Sequence, residues 1–226
     1  MTLRALLPIM TFDAAAYASI KAQLKSVNLV AVTKQATPND IVAAYHAGIR
    51  DFGENRVQDA LVRMDAVRAL LGDRAYHDIR WHFIGTLQRN KVRVVLGRFQ
   101  MIQSIDSVVL AQAIARHQRG APGAGRMRVL IQVNISGEEQ KHGLRPDDSE
   151  SIAGICRLLD VRGIMGIASE AHPERAFALA QDMFRRARAR GCDWSVLSLG
   201  MSDDWRIALR YGATMVRIGS ALFGKP

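Results

Sequence analysis

The chain's 226 residues suffice for one large core, and 49% hydrophobic with 23% charged residues are ordinary values for a soluble globular protein. No run approaches the roughly 18 apolar residues of a membrane span, so no membrane association is expected. The net charge of +10 raises nucleic acid as a partner, but the basic runs at 89–98, 116–128 and 185–190 are dispersed and carry no interleaved aromatic residues for base stacking, so a solvated basic surface is expected instead of specific nucleic-acid binding.

The N-terminal LRALLPIM is short, interrupted by Pro8 and without a cleavage-site pattern, so it is not expected to be a signal peptide. A helix is predicted within 12–27. LVAVTK (29–34) follows as an apolar strand that ends in a lysine. TPNDIVAAYHAG then reads as a helix, with Thr37 as cap, Pro38 at the first helical position and Gly48 as stop. IRDFGEN (49–55) is the second strand, and VQDALVRMDAVRALLG the helix after it. WHFIGT (81–86) and MIQSIDS (101–107) are the third and fourth strands, followed by the helical SVVLAQAIARHQRG. GAPGAG at 120–125 is read as a loop leading into the fifth strand, MRVLIQVNIS (127–136). The helix DDSESIAGICRLL precedes VRGIMGIAS (161–169), and PERAFALAQDMFRRARARG precedes WSVLSLGMS (194–202). Arginines at the end of that last helix suit the negative pole of its dipole. TMVRIGSALFG (214–224) is the eighth strand.

Strand then helix, repeated, predicts a parallel sheet. Eight such strands in a chain of this length fit a closed (β/α)8 TIM barrel, an α/β fold in a single domain over 1–226, better than an open sheet. Cys156 and Cys192 match neither a CxxC nor a metal-ligand spacing, which points to a reducing cytosol and to no metal site.

In such barrels the chemistry gathers at the C-terminal strand ends. Polar residues crowd them here: Lys34, Glu54, Asn55, His82, Ser104, Asp106, Asn134, Ser202 and Arg217. Lys34 has two readings. Its ammonium snorkels into water past the end of the strand, or it is held in a pocket as a reactive amine whose proton affinity falls in an apolar mouth. The loops after the last two strands, with Gly200, Ser202, Gly219 and Ser220, have the composition of a phosphate cradle of backbone N–H groups and hydroxyls. The plain alternative is that Ser202 caps a helix beginning at Asp203 and Asp204 and the glycines turn the chain. An amine and an anion cradle on one mouth suggest a phosphorylated aldehyde, pyridoxal 5′-phosphate (PLP), held as an imine on Lys34.

VTK, FGENRVQ, WHFIGTLQRNK, IQVNIS, RGIMGI, LSLGMSDDW and MVRIGSALFG together resemble the YggS/PROSC family of pyridoxal phosphate homeostasis proteins, in order from about Leu29 to Gly224. The resemblance implies a barrel like the N-terminal domain of alanine racemase and a covalent PLP imine on Lys34. It implies that Arg217 meets the pyridine nitrogen, that Ser202, Gly219 and Ser220 hold the phosphate, and that Asn55 and His82 line the pocket. Two positions depart from the family pattern: Thr86 stands where proline is common, and Ser220 where threonine is. His142 in KHG also departs and is expected to be an exposed loop residue without a role.

Two classes of function follow: a carrier that buffers PLP or delivers it to PLP-dependent apo-enzymes, and a PLP-dependent amino-acid racemase of weak activity. An arginine can only donate, so a ring nitrogen that it meets stays unprotonated and the ring is a weak electron sink, which suits racemisation but disfavours transamination. A racemase of the related fold takes a second base from an added β-domain and a partner subunit, and this sequence ends at Pro226, just past the eighth strand. The carrier reading is therefore preferred, with no catalytic residues assigned and a monomer expected.

Overall fold

Thr37 begins its helix as its composition requires. Its hydroxyl accepts from the Asp40 N–H at 3.2 Å, the Asp40 carboxylate accepts from the Thr37 N–H at 2.9 Å, and Pro38 takes the first helical position. Gly48 follows the helix with φ +105°, a conformation open to a residue without Cβ. The structure is a computed structural model that describes residues 11–119 and 126–224, so LRALLPIM and the GAPGAG loop lie outside the described residues.

The strands are β1 Asn28–Val32, β2 Asp51–Glu54, β3 Arg80–Phe83, β4 Met101–Ile105, β5 Arg128–Val133, β6 Asp160–Gly166, β7 Val196–Ser198 and β8 Met215–Ile218. They pair in parallel, each with its neighbour in sequence, and β8 closes on β1 through registers such as Val30 opposite Arg217. The predicted eight-stranded barrel is the fold observed. The helices are α1 Ala14–Leu24, α2 Pro38–His46, α3 Val57–Leu71, α4 Asp73–Tyr76, α5 Val92–Leu96, α6 Val108–Arg119, α7 Ser149–Leu158, α8 Pro173–Ala189, α9 Trp205–Arg210 and α10 Ser220–Phe223.

All eight strands stop short of their predicted C-terminal limits. The backbone leaves the ladder there to build the mouth loops, so Lys34 and Ser202 lie in turns and Asn55 in a bend. The crossover after β3 also differs from expectation. The basic run at 89–98 contains the short α5, whose Val92 and Val95 are fully buried, so part of that run is core and not solvated surface.

Two apolar cores result from the period-2 alternation of the strands. Outward residues such as Phe52, Trp81, Ile102, Val129, Ile164, Val216 and Ile218 pack under the helices, while Val30, Met101, Leu130, Met165 and Met215 fill the lumen. No helix among the described residues is long and apolar enough to cross a membrane.

Candidate functional site

One cavity of about 270 Å³ opens at the C-terminal mouth beside β1 and β8. Lys34, Ser202, Arg217, Gly219 and Ser220 all line it, so most of the expected site residues share one small-molecule-sized space. Val32, Gln35 and Phe223 complete much of the wall.

Lys34 lies two residues beyond the end of β1 and is exposed, and its amine has no partner among the described residues. The expected apolar, desolvated setting is therefore not found, because the strand ends before it can bury this side chain. The loop itself is anchored from behind. The Arg63 guanidinium on α3 donates to the Lys34 and Ala36 carbonyls at 3.3 and 3.0 Å, and its Nε donates to the Glu54 carboxylate at 2.8 Å. The Thr33 hydroxyl donates to the same carboxylate oxygen at 2.6 Å. Glu54 is thus turned away from the mouth and buried between barrel and helix. Burial pushes its carboxyl up, against the opposing pull of Thr33 and Arg63.

Arg217 is 4% exposed, at the inner end of the cavity. It donates to the Ser198 carbonyl at 2.9 Å, to the Ser198 hydroxyl at 2.7 Å and to the Gly166 carbonyl at 2.9 Å. All three acceptors are neutral, and no carboxylate pairs with the guanidinium among the described residues. Burial lowers its pKa to about 10, with Asp204 pulling the other way. A guanidinium has five N–H groups, so it keeps donors for a ligand.

Ser202 is not the cap of the following helix. Its Oγ accepts from the Gly219 and Ala221 N–H groups, both at 3.3 Å, joining the loops after β7 and β8 into one donor-lined rim. α9 starts only at Trp205, after a turn closed by the Met201 N–H on the Asp204 carboxylate at 2.6 Å. Gly200 makes this turn possible: at φ +88° a Cβ there would lie 2.7 Å from the Trp205 Cα.

Asn55 and His82 are not brought to this cavity. Asn55 lines a neighbouring one, with Thr86, Gln88 and Lys91. A Cβ on Gly85 would lie 2.1 Å from its carbonyl, so that close backbone crossing holds Asn55 to the β3 side. His82 is buried in the lumen and turned toward the N-terminal end of the barrel. It is level with Gly53 in the ladder, yet its Nε2 meets Asp51, two residues lower, at 2.9 Å. The carboxylate attracts the imidazole away from the mouth. Ser104 and Asn134 do not line this cavity either: Ser104 is fully buried, and Asn134 donates to the Glu138 and Lys141 carbonyls at 2.8 and 3.1 Å within its own loop. No group of His, Cys, Asp and Glu side chains able to hold a metal ion occurs among the described residues.

The family model for the alanine racemase N-terminal domain matches residues 14–226. The pyridoxal phosphate homeostasis protein of Pseudomonas aeruginosa is 38% identical over 203 residues, covering 88% of this chain and 84% of that protein. Its human namesake is 37% identical over 215 residues, covering 87% and 76%. The chain belongs to the family of pyridoxal phosphate homeostasis proteins. A solved member, PipY of Synechococcus elongatus PCC7942 with PLP bound, superposes with a TM-score of 0.80 at 34% identity, covering 93% of this chain and 99% of that one.

Within this family member, sequence reasoning missed three residues that shape the cavity from behind it. Arg63 had no signal, since it is an ordinary helix position whose carbonyl partners are set by the tertiary fold. Ser198 sits in a short apolar strand and carries no signal of its own in the sequence. Gln103 carried a usable signal: it is a polar residue in MIQSI, at an alternate position in a strand that is buried throughout.

Proposed function

We propose that this chain binds PLP in the mouth cavity and serves PLP homeostasis inside the cell, holding the cofactor and releasing it to apo-enzymes. The observation that carries this reading is that an exposed lysine with an unpaired amine, a buried arginine without a carboxylate partner, and the Ser202, Gly219 and Ser220 loops joined through Ser202 all line one cavity. The donor set fits the group. Lys34 supplies the amine for an imine to the aldehyde. The Ser202 and Ser220 hydroxyls offer donors to the phosphate, and Gly219 lines the same part of the cavity. Arg217 offers its remaining N–H groups to the ring nitrogen. When bound, the cofactor contributes an electrophilic aldehyde carbon and a ring that withdraws electrons. Arg217 cannot give up a proton to the ring nitrogen at neutral pH, so it keeps that withdrawal weak. This disfavours transamination. The relatives' names and the PLP-bound PipY structure support the same reading.

The deciding experiment is an absorption spectrum of protein purified without added cofactor, followed by borohydride and peptide mapping. The expected result is a yellow protein that bleaches on reduction, with the cofactor's mass fixed on the peptide containing Lys34. A label on another lysine, or no label after incubation with PLP, would overturn the assignment.

A further inference from the structure

The lumen of this barrel is not wholly apolar. Among Val30, Met101, Leu130, Met165 and Met215 runs a string of polar side chains: Gln103 and Ser198 are 0% exposed, and His82 and Arg217 4%. Groups this buried are costly unless each is bonded. They are bonded to one another, from the mouth to the opposite end of the barrel.

The two ends of the string, together with a neutral imidazole at His82, set the direction of every bond in it. Arg217 can only donate. Asp51 can only accept: burial pushes its carboxyl up, but the hydrogen bonds from His82 and Arg80 outweigh that and hold it at about 2. A neutral His82 presents Nε2–H to Asp51, at 2.9 Å, and its Nδ1 is then an acceptor. Nδ1 takes the Gln103 amide N–H at 3.1 Å, so the other end of that amide, Oε1, faces Ser198 and accepts its hydroxyl at 2.8 Å. With its proton committed, the Ser198 oxygen turns its lone pairs to the Arg217 Nη1, at 2.7 Å. Were Gln103 reversed, its N–H would compete with Arg217 for those lone pairs. A neutral imidazole whose one proton is held on Nε2 by Asp51 opposes the reversal, because it would set the Gln103 oxygen against the Nδ1 lone pair.

We infer that Gln103 is a positioning residue for Arg217, setting through Ser198 the angle at which the guanidinium meets the ring nitrogen of bound PLP. The inference rests on the proposed PLP reading, and in particular on an Arg217 contact to that nitrogen. Gln103 itself does not touch the cavity. Its signature is therefore a loss specific to one atom of the ligand.

The test compares PLP with its 1-deaza analogue, in which a C–H replaces the ring nitrogen, by equilibrium titration of the full chain. The variants are Gln103→Met, Ser198→Ala and Arg217→Met, each checked for folding by circular dichroism. The wild-type protein should prefer PLP, and Arg217→Met should abolish the preference. Gln103→Met should cut it about two- to tenfold, the loss of one net hydrogen bond, while binding the analogue as before. If Gln103→Met does not fold, Ser198→Ala carries the comparison with the same expected loss. Equal weakening of both ligands, or of neither, would overturn the inference even where Arg217→Met loses the preference. An Arg217→Met variant that keeps the preference would instead sink the ring-nitrogen contact, and the inference with it.

Discussion

Replacing Ser202 by alanine removes one hydroxyl and tests the phosphate rim directly. Ser202 Oγ accepts the Gly219 and Ala221 N–H groups at 3.3 Å each, long bonds in a half-buried setting, so their loss alone should cost the ligand-free protein little stability. The larger effect falls on the ligand. A hydroxyl donor to a charged phosphate oxygen is worth about 1.5–3 kcal/mol, or roughly tenfold to a hundredfold in affinity. The Gly219 and Ala221 N–H groups, no longer engaged by Oγ, turn to the same phosphate and offset part of this, so the lower end is expected. Ser220→Ala added to Ser202→Ala should extend the loss by a similar factor. The assay is a fluorescence titration of each variant with PLP and with unphosphorylated pyridoxal. Affinity for pyridoxal should change less than twofold, on the scale of an ordinary surface substitution. Parallel losses for both ligands would refute the reasoning and place the phosphate elsewhere.

Arg63→Met should destabilise the protein by about 3–5 kcal/mol, seen as a lower urea midpoint, because it leaves the Glu54 carboxylate buried without its cation. The same variant should form its imine more slowly, since the loop carrying Lys34 loses two carbonyl anchors, and stopped-flow absorbance checks this. Acid titration reads Asp51, whose pKa falls from 3.8 to about 2 on folding. Its share of stability is present above 3.8 and is lost as pH falls toward 2, at most about 2.4 kcal/mol, so Asp51→Asn should flatten the pH dependence of stability in that window. Incubating the PLP-loaded protein with L-alanine in deuterated water should leave the amino acid's configuration intact, while a mixed apo-enzyme regains activity. Racemisation in the ordinary enzyme range of about 1–10³ s⁻¹ would defeat the carrier reading.

What the sequence by itself determined is the local and periodic part. Short apolar strands alternating with capped helices dictate a parallel barrel, because strands this apolar must be covered on both faces. Thr37 and Pro38 mark a helix start through contacts within one turn, and a lysine after β1 facing serines and glycines after β7 and β8 follows from the shared mouth of the barrel. The tertiary structure alone decided where side chains at strand ends turn. His82 goes down to Asp51 and Glu54 goes out to Arg63, because each finds its hydrogen-bonding partner on another element. Asn55 is held to a neighbouring cavity by a backbone crossing at Gly85 that no spacing reveals. The string from Arg217 to Asp51 joins β8, β7, β4, β3 and β2, residues up to 166 positions apart (217 − 51), and its bond directions depend on all of its members at once. Periodicity places a residue on a face. Only the closed barrel brings five strands' inward faces within hydrogen-bonding distance of one another.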